Sequence, residues 1–352
     1  VKKKTSRRPP SDRLVSRIVS SMGKGRGDGL VRLGSEVPLT IPGVISTRCP
    51  TLDAATKRGG VPLARLTIIT GDPSTGKTTL GFQLCAEVQE RGGIAVFIDA
   101  ERKADWGYAR DLGVKLGDLI VPRPKHLEEC CQLLRGMVTA VREKDAATPV
   151  LVVLDSINAA IAEGDYESDY GDSPRPGSQA SVMSWILPKL IVDMDGLSVA
   201  LVFISQTREM IGAYKARKKI AGGRAPEFYS ALVIDLARRK QVKDGGEEGG
   251  GKAVAQNVEA TIIKSQIGMP WAKADFVVRF GEGVDYEDAL LRQAEKEGVL
   301  NSGAGGWYDM PPLTNGGKPI KWQGVRGFRK LIADRTEVLE AIEAKLKFGR
   351  KQ

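Results

Sequence analysis

Residues 71–78 read GDPSTGKT and follow a short β-rich run, LTIIT, at 66–70. The segment matches G-x-x-x-x-G-K-[ST]. Gly71, Asp72, Pro73, Ser74, Thr75 and Gly76 supply a backbone that can wrap so that successive N–H groups point at phosphate oxygens. Lys77 neutralises the β- and γ-phosphates, and Thr78 offers its hydroxyl to Mg²⁺. A helix opening at Thr79 adds the partial positive charge of its N-terminus. A phosphate-bound Mg²⁺ needs a carboxylate from a neighbouring strand end, and VLVVLDS supplies Asp155 in that place. A third β-rich run, IAVFIDAE, ends in Glu101. Ligands in such sheets gather beyond the carboxyl ends of the strands, so Glu101 can orient and activate water against the γ-phosphate. A loop-capping role for Glu101 is the competing reading from these residues alone. The chemistry implied is binding and hydrolysis of ATP with Mg²⁺.

The elements that must hold these groups follow from the hydrophobic pattern. The runs at 66–70, 94–99, 150–155 and 199–205 alternate with helical stretches such as Leu80–Arg91 and Glu128–Arg142, the signature of parallel strands joined by crossover helices. Nearly continuous Val, Ile and Leu in those runs means burial on both faces. Beyond Phe228, VIDLARR, ATIIKSQ and FVVRFG read as further strands, with GGEEGGG as a solvated hairpin tip. At the N-terminus Ser11 can cap a short helix with Leu14, Val15, Ile18, Val19 and Met22 on one face, followed by the break GKGRGDG. So small a stripe needs a partner, in its own domain or on a neighbouring subunit. A Gly-rich stretch, NSGAGGWYDMPPLTNGGKP, leads into a last helix from about Asp334 to Lys347. The expected fold is α/β: a P-loop ATPase core with a mostly parallel central sheet, an N-terminal helix and a small α+β C-terminal domain. The expected divisions are 1–32, 33–283 and 284–352.

The 352 residues carry a net charge of +10, with 41% hydrophobic and 27% charged residues, which excludes a wholly disordered chain. Residues 1–32 hold ten basic and two acidic side chains and residues 318–352 hold ten and four, so the intervening body is slightly acidic. No apolar run reaches the roughly 18–20 residues of a membrane span, and VKKKTSRRPP lacks the apolar stretch of a signal peptide. The expectation is a cytoplasmic protein without a membrane partner. The four cysteines show no CxxC spacing and fit a reducing compartment. The single histidine, His126, speaks against His-pair metal sites and Ser-His-Asp catalysis, and reads as a surface residue.

The segments GDPSTGKTTL, FIDAERKADWGYARDLGV, VVLDSINAA, GDS, LVFISQTREMIG, FYSAL, KSQIGMPW, ADFVVRFGEG and GAGGWYD occur in the order and at nearly the spacing of bacterial RecA recombinases. The resemblance covers about residues 11 to 347. It implies an ATP-dependent recombinase, bacterial or phage-encoded, that polymerises on single-stranded DNA and pairs it with homologous double-stranded DNA in recombination and repair. Position by position, Glu101 matches the glutamate that activates water, and Asp105 and Tyr108 match residues flanking the adenine. Gln206 matches the glutamine that contacts the γ-phosphate and begins the second DNA-binding loop. The two DNA loops correspond to about 167–175 and 207–223. The second reads independently as basic, with Arg208, Lys215, Arg217, Lys218 and Lys219, a possible stacking ring at Tyr214, and Gly222 and Gly223 allowing close backbone approach to phosphates. A solvated charged face is the competing reading from composition. The first loop is acidic apart from Arg175, and only the resemblance nominates it. Phe228 sits where the family has an interface aromatic, in a self-assembled helical filament. A hexameric RecA-like DNA helicase shares the ATP core and is the alternative class.

Departures accompany the matches. The family has two lysines reaching the neighbouring subunit's ATP; here Lys264 is kept and Gln266 stands at the second position. Ser205 replaces an asparagine, and Ser181 and Pro188 replace basic residues in the helix after the first loop. The sequence ends in KLKFGRKQ where the family often has an acidic tail. Lys318, Lys321, Arg326, Arg329 and Lys330 are expected to attract duplex DNA, with a solvated helix face as the competing reading.

Overall fold

A computed structural model describes residues 10–23, 41–145, 147–173, 175–207, 220–243, 251–313 and 318–346. The chain falls into two units, 1–40 and 41–352. In the first, helix α1 (Pro10–Gly23) leaves Leu14, Val15, Ile18 and Met22 exposed. The helix begins at Pro10, so Ser11 lies inside its first turn rather than before it. Proline suits that position because the first helical N–H has no partner within the helix.

The second unit opens with β1 (Val44–Ile45), α2 (Pro50–Ala55) and β2 (Val61–Pro62). It continues as alternating strand and helix: β3 (Leu66–Gly71), α3 (Lys77–Glu90), β4 (Ile94–Asp99), α4 (Trp106–Asp111), β5 (Leu119–Ile120), α5 (Leu127–Lys144), β6 (Val150–Asp155), α6 (Glu163–Tyr166), α7 (Ser178–Met194) and β7 (Val199–Gln206). After α8 (Ala225–Tyr229) the pattern changes to strands joined directly: β8 (Ser230–Lys243), β9 (Ala253–Ser265), β10 (Lys273–Arg279) and β11 (Gly283–Val284). One sheet runs in the order β11-β10-β9-β8-β3-β7-β6-β4-β5. Its six strands from β8 to β5 pair in parallel, and β8 to β11 pair antiparallel. The mostly parallel α/β core is therefore as expected from the sequence, and the strand continuity of Val, Ile and Leu has the anticipated cause. Every residue of β3 is buried, because helices cover both sheet faces.

On one face α3 buries nearly all its length, with the Phe82 and Phe97 rings tilted against each other 4.8 Å apart between centroids. Each such ring contributes about 1.5–3 kcal/mol relative to exposure. On the other face α5 and α7 pack Leu134, Val138, Leu187 and Leu190 against Val152 and Leu201. All four cysteines are buried and unpaired. His126 is half-buried and caps α5, its Nδ1 accepting the backbone N–H of Glu129.

Residues from 286 onward carry a core of their own around Leu290, Trp322, Phe328 and Val338. The segment is α+β, as expected, and the structure supplies its elements. Within and just after the Gly-rich stretch, β12 (Asn301–Gly303) pairs with β13 (Trp307–Met310), and β13 pairs with β14 (Ile320–Gln323). Their pairing uses backbone groups, which a glycine supplies as well as any residue, so composition concealed it. A helix that the sequence reading did not pick out, α10 (Gly324–Asp334), precedes the expected last helix, α11 (Thr336–Lys345). They are separated at Arg335, whose φ of −139° and ψ of 75° break the helix. The apolar spacing Val325, Phe328, Ile332 was a readable signal for α10.

Asp285 joins this segment to the sheet. Its carboxylate caps α9 (Tyr286–Lys296) by accepting the Asp288 N–H. It also pairs with Arg279 Nε at 2.7 Å and Arg329 at 2.6 Å. Arg329 is thus engaged within the protein, while Lys318, Lys321, Arg326 and Lys330 remain exposed. Burial opposes ionisation of Asp285, but the two guanidiniums and the Asp288 N–H outweigh it and hold the carboxyl below its usual value. A depressed folded pKa means that the stability it adds is complete above about pH 4. It is lost as pH falls through that folded value. Asp285→Asn should lower urea-unfolding stability at pH 7 by about 1–3 kcal/mol, and the gap from the parent protein should narrow in acid. An equal gap at pH 7 and in acid would show that the charge is not the source.

Candidate nucleotide-binding site

Parallel register lines up the strand ends that carry the chemistry. Gly71 pairs with both Gln206 and Leu236, and Asp155 sits opposite Asp99 and Ile204. The turn after β3 then needs unusual backbone. Gly71 has φ +145°, and a Cβ there would lie 2.3 Å from the Leu236 carbonyl oxygen. Ser74 has φ +62°. Gly76, with φ +91°, precedes the first residue of α3. The helix therefore starts at Lys77, two residues before the expected Thr79, and its N-terminal N–H groups face the loop.

A cavity of about 790 Å³ opens beyond these strand ends. Pro73, Ser74, Gly76, Lys77, Thr78, Thr79, Glu101, Asp105, Tyr108, Asp155 and Gln206 line it, so most of the sequence-nominated ATP residues converge. Lys77 Nζ donates to the carbonyls of Gly71 and Asp72 at 3.0 and 2.7 Å. Burial lowers its pKa, against the opposing pull of Asp155, Asp72 and Glu101. Thr78 Oγ1 donates to Asp155 Oδ2 at 2.6 Å. Burial is the main force that lifts Asp155 to about 6, with Glu101 and Asp99 adding repulsion and the Thr78 hydrogen bond and Lys77 offsetting part of it. Glu101 Oε1 accepts from Ser156 Oγ at 2.6 Å and from Gln206 Nε2 at 3.2 Å.

This donor set fits a divalent cation carried by a polyphosphate. A hydroxyl and a carboxylate are in contact, and crowded anionic side chains have only one buried lysine beside them. Among the described residues no group of three or more His, Cys, Asp or Glu could hold a metal. The remaining ligands would be phosphate oxygens and water, as hard cations such as Mg²⁺ prefer.

At the other end of the cavity Asp105 caps α4, accepting the Tyr108 N–H at 3.0 Å. The Tyr108 hydroxyl bonds Thr79 Oγ1 at 3.0 Å, and burial raises its pKa. Its ring thereby has a defined tilt at the wall where a base could stack. Gln256, Val278, Arg279, Phe280 and Gly281 also line the cavity and were missed. They come from β9, β10 and the loop after it, remote in sequence from the P-loop. Gln256 Nε2 donates to the Ser74 carbonyl at 2.9 Å, steadying the strained loop.

The other nominated residues lie elsewhere. Lys264 does not line its own chain's cavity; its ammonium donates to the carbonyls of Glu227 and Phe228 at 2.6 and 2.8 Å. Phe228 beside it is 71% exposed, and Gln266 is exposed. Arg208, Tyr214, Lys215, Arg217, Lys218 and Lys219 lie outside the described residues. Gly222 and Gly223 both have φ +81°. A Cβ on Gly223 would lie 2.7 Å from Ala180 Cβ, and one on Gly222 would lie 3.1 Å from Pro226. Their close approach is to the protein itself, a packing role that the sequence reading did not foresee. Arg175 is exposed, its N–H donating to Asp165. Nearby Tyr170 is a fully exposed ring that charge counting passed over.

A family model described as the RecA N-terminal domain matches residues 12–285. The chain is similar to "Protein RecA" of Syntrophobacter fumaroxidans, 33% identical over 337 residues, 96% of this chain and 92% of that one. It is likewise similar to "Protein RecA" of Geobacter sulfurreducens, 33% identical over 94% of this chain and 92% of the relative. "Protein RecA" of Aquifex pyrophilus is 34% identical over 94% and 89%.

Gly71→Ala should add backbone strain of about 1–3 kcal/mol, seen as a lower unfolding midpoint, and abolish binding of a fluorescent ATP analogue. Tyr108→Phe keeps the ring and removes the Thr79 hydrogen bond, so its loss of nucleotide affinity should be about 0.5–1.5 kcal/mol and smaller than that of Tyr108→Ala. Equal losses in the two Tyr108 variants would deny the ring its role.

Proposed function

The chain belongs to the RecA family, and from that premise we propose a DNA-dependent ATPase that forms helical filaments on single-stranded DNA and pairs that strand with homologous duplex. Membership carries a function in recombination and DNA repair, with ATP and a divalent metal as cofactors. In this reading the metal is Mg²⁺ and the protein acts in the cytoplasm. No helix among the described residues is long and apolar enough to cross a membrane. The observation that carries the proposal is the meeting of Lys77, Thr78, Asp155, Glu101 and Gln206 at one cavity.

The roles in this reading combine the cavity's geometry with what the family resemblance implies for the other residues. The loop N–H groups and the N-terminus of α3 hold the phosphates. Lys77 exchanges the carbonyls of Gly71 and Asp72 for β- and γ-phosphate oxygens. Thr78 and Asp155 would hold Mg²⁺, which supplies neutralisation of the charge that develops on phosphoryl transfer. Glu101 accepts a hydrogen bond from the attacking water and orients it. Asp105 and Tyr108 bound the adenine. Gln206 leaves Glu101 for the γ-phosphate, and because it begins the loop at 207–223, a nucleotide contact bears on DNA contact. That loop, with Arg208, Tyr214, Lys215, Arg217, Lys218 and Lys219, and the loop near Arg175 grip the strand. Phe228 and Lys264 face the next subunit, where Lys264 reaches the neighbour's phosphates. Gln266 contributes no charge there.

ATP turnover measured with and without single-stranded DNA, alongside electron microscopy with a slowly hydrolysed ATP analogue, tests the reading. DNA-stimulated hydrolysis and helical filaments are expected; closed rings or unstimulated turnover would overturn it. Glu101→Gln should cut turnover by about 10²–10⁴-fold while leaving nucleotide binding. Gln266→Lys, by restoring a cation, should raise DNA-dependent turnover, and an unchanged rate would remove that residue from the phosphate site.

A further inference from the structure

After Asp155 the chain makes one short helical turn, Ile157–Ala159, before α6. The side chain of Asn158 in this turn is tied to Gln206. Its Oδ1 accepts the Gln206 backbone N–H at 2.8 Å, and its Nδ2 donates to the Gln206 carbonyl at 3.3 Å. One amide that accepts from and donates to the same residue fixes that residue in both distance and rotation. Asn158 Oδ1 also accepts from Ser205 Oγ at 3.2 Å, and Ser205 Oγ in turn accepts the Ala221 N–H at 3.3 Å. The clamp therefore reaches both sides of residues 208–219.

The same turn is held from the other direction. Gln179, in the first turn of α7, donates its Nε2 to the carbonyls of Ile157 and Ala160 at 2.6 and 2.8 Å. Gln179 follows the segment 167–175 closely in sequence. Glu101 meanwhile accepts from Ser156 Oγ and from the Gln206 side chain. The turn after Asp155 is thus where hydrogen bonds from the cavity and from the roots of both segments meet. Asn158 does not itself line the cavity.

Resting on the function proposed above, we propose that Asn158 is a positioning residue that makes ATP and single-stranded DNA strengthen each other's binding. When the side chain of Gln206 turns from Glu101 toward a γ-phosphate, an unclamped backbone could absorb the change by local rotation. A backbone held at both its N–H and its carbonyl cannot, so the displacement passes to the 156–160 turn, to Ser205 and Ala221, and through Gln179 to the start of α7. The role belongs to this chain's own Asn158 and Ser205 pair, and it acts through Gln206 rather than on the nucleotide.

The test is a binding cycle on the full chain. Affinity for a fluorescein-labelled single-stranded oligodeoxythymidylate is measured by anisotropy with and without a slowly hydrolysed ATP analogue, and affinity for a fluorescent ATP analogue is measured without DNA. Asn158→Ala is expected to bind the nucleotide alone as the parent does, while the ratio of DNA affinities with and without nucleotide falls by about 5-fold or more. A merely structural role would lower both readouts together. A parental ratio in Asn158→Ala overturns the proposal. If Asn158→Ala unfolds, Asn158→Ser, polar but too short to reach both groups of Gln206, decides in its place by the same criterion. Absence of any nucleotide effect on DNA affinity in the parent protein would instead count against the function proposed above.

Discussion

The parallel register of β3, β7, β6 and β4 is the constraint on which the rest of the structure depends. Parallel strands end on the same side of the sheet, and the pairings Gly71 with Gln206 and Asp155 with Asp99 set four chemically active segments in one row. A slip of one residue in any strand would turn a carboxylate or amide toward the opposite sheet face. The buried Val, Ile and Leu of these strands, packed on both faces, make such a slip costly. Precision at the cavity is therefore a consequence of hydrophobic packing several residues away.

That arrangement crowds charge. Asp99, Glu101 and Asp155 stand near one buried lysine, and burial raises Asp155 to about 6. The protein tolerates the crowding because each group has hydrogen-bond donors: Thr78 for Asp155, Ser156 and Gln206 for Glu101, and the N–H groups of Lys103 and Ala104 for Asp99. A cation and a polyphosphate would rearrange these bonds rather than create a site from nothing. The same economy appears at Asp285, where one carboxylate caps a helix and pairs two arginines, so the C-terminal segment is joined to β10 beside the cavity wall at Arg279.

Charge at the ends of the chain has a different standing. The body is slightly acidic and the excess positive charge lies within residues 1–32 and 318–352. Arg329 shows why a count of basic residues overstates a basic face: its guanidinium is occupied by Asp285 and Glu287. Gly222 and Gly223 make the parallel point for backbone, since their freedom serves packing against Ala180 and Pro226.

The sequence alone determined the P-loop, the strand and helix that flank it, and the carboxylates at the ends of β4 and β6, because these features are local: periodicity, glycine placement and strand-end position need no knowledge of distant contacts. The family resemblance nominated Asp105, Tyr108 and Gln206. Tertiary structure alone decided the contribution of Gln256, Arg279 and Phe280 to the cavity, the clamp of Asn158 on Gln206, and the three-stranded sheet of the C-terminal segment. Each of those depends on residues brought together over tens to hundreds of positions, or on backbone groups that every residue carries. Neither leaves a pattern in the order of side chains, and only the packed sheet supplies the distances that make them interactions.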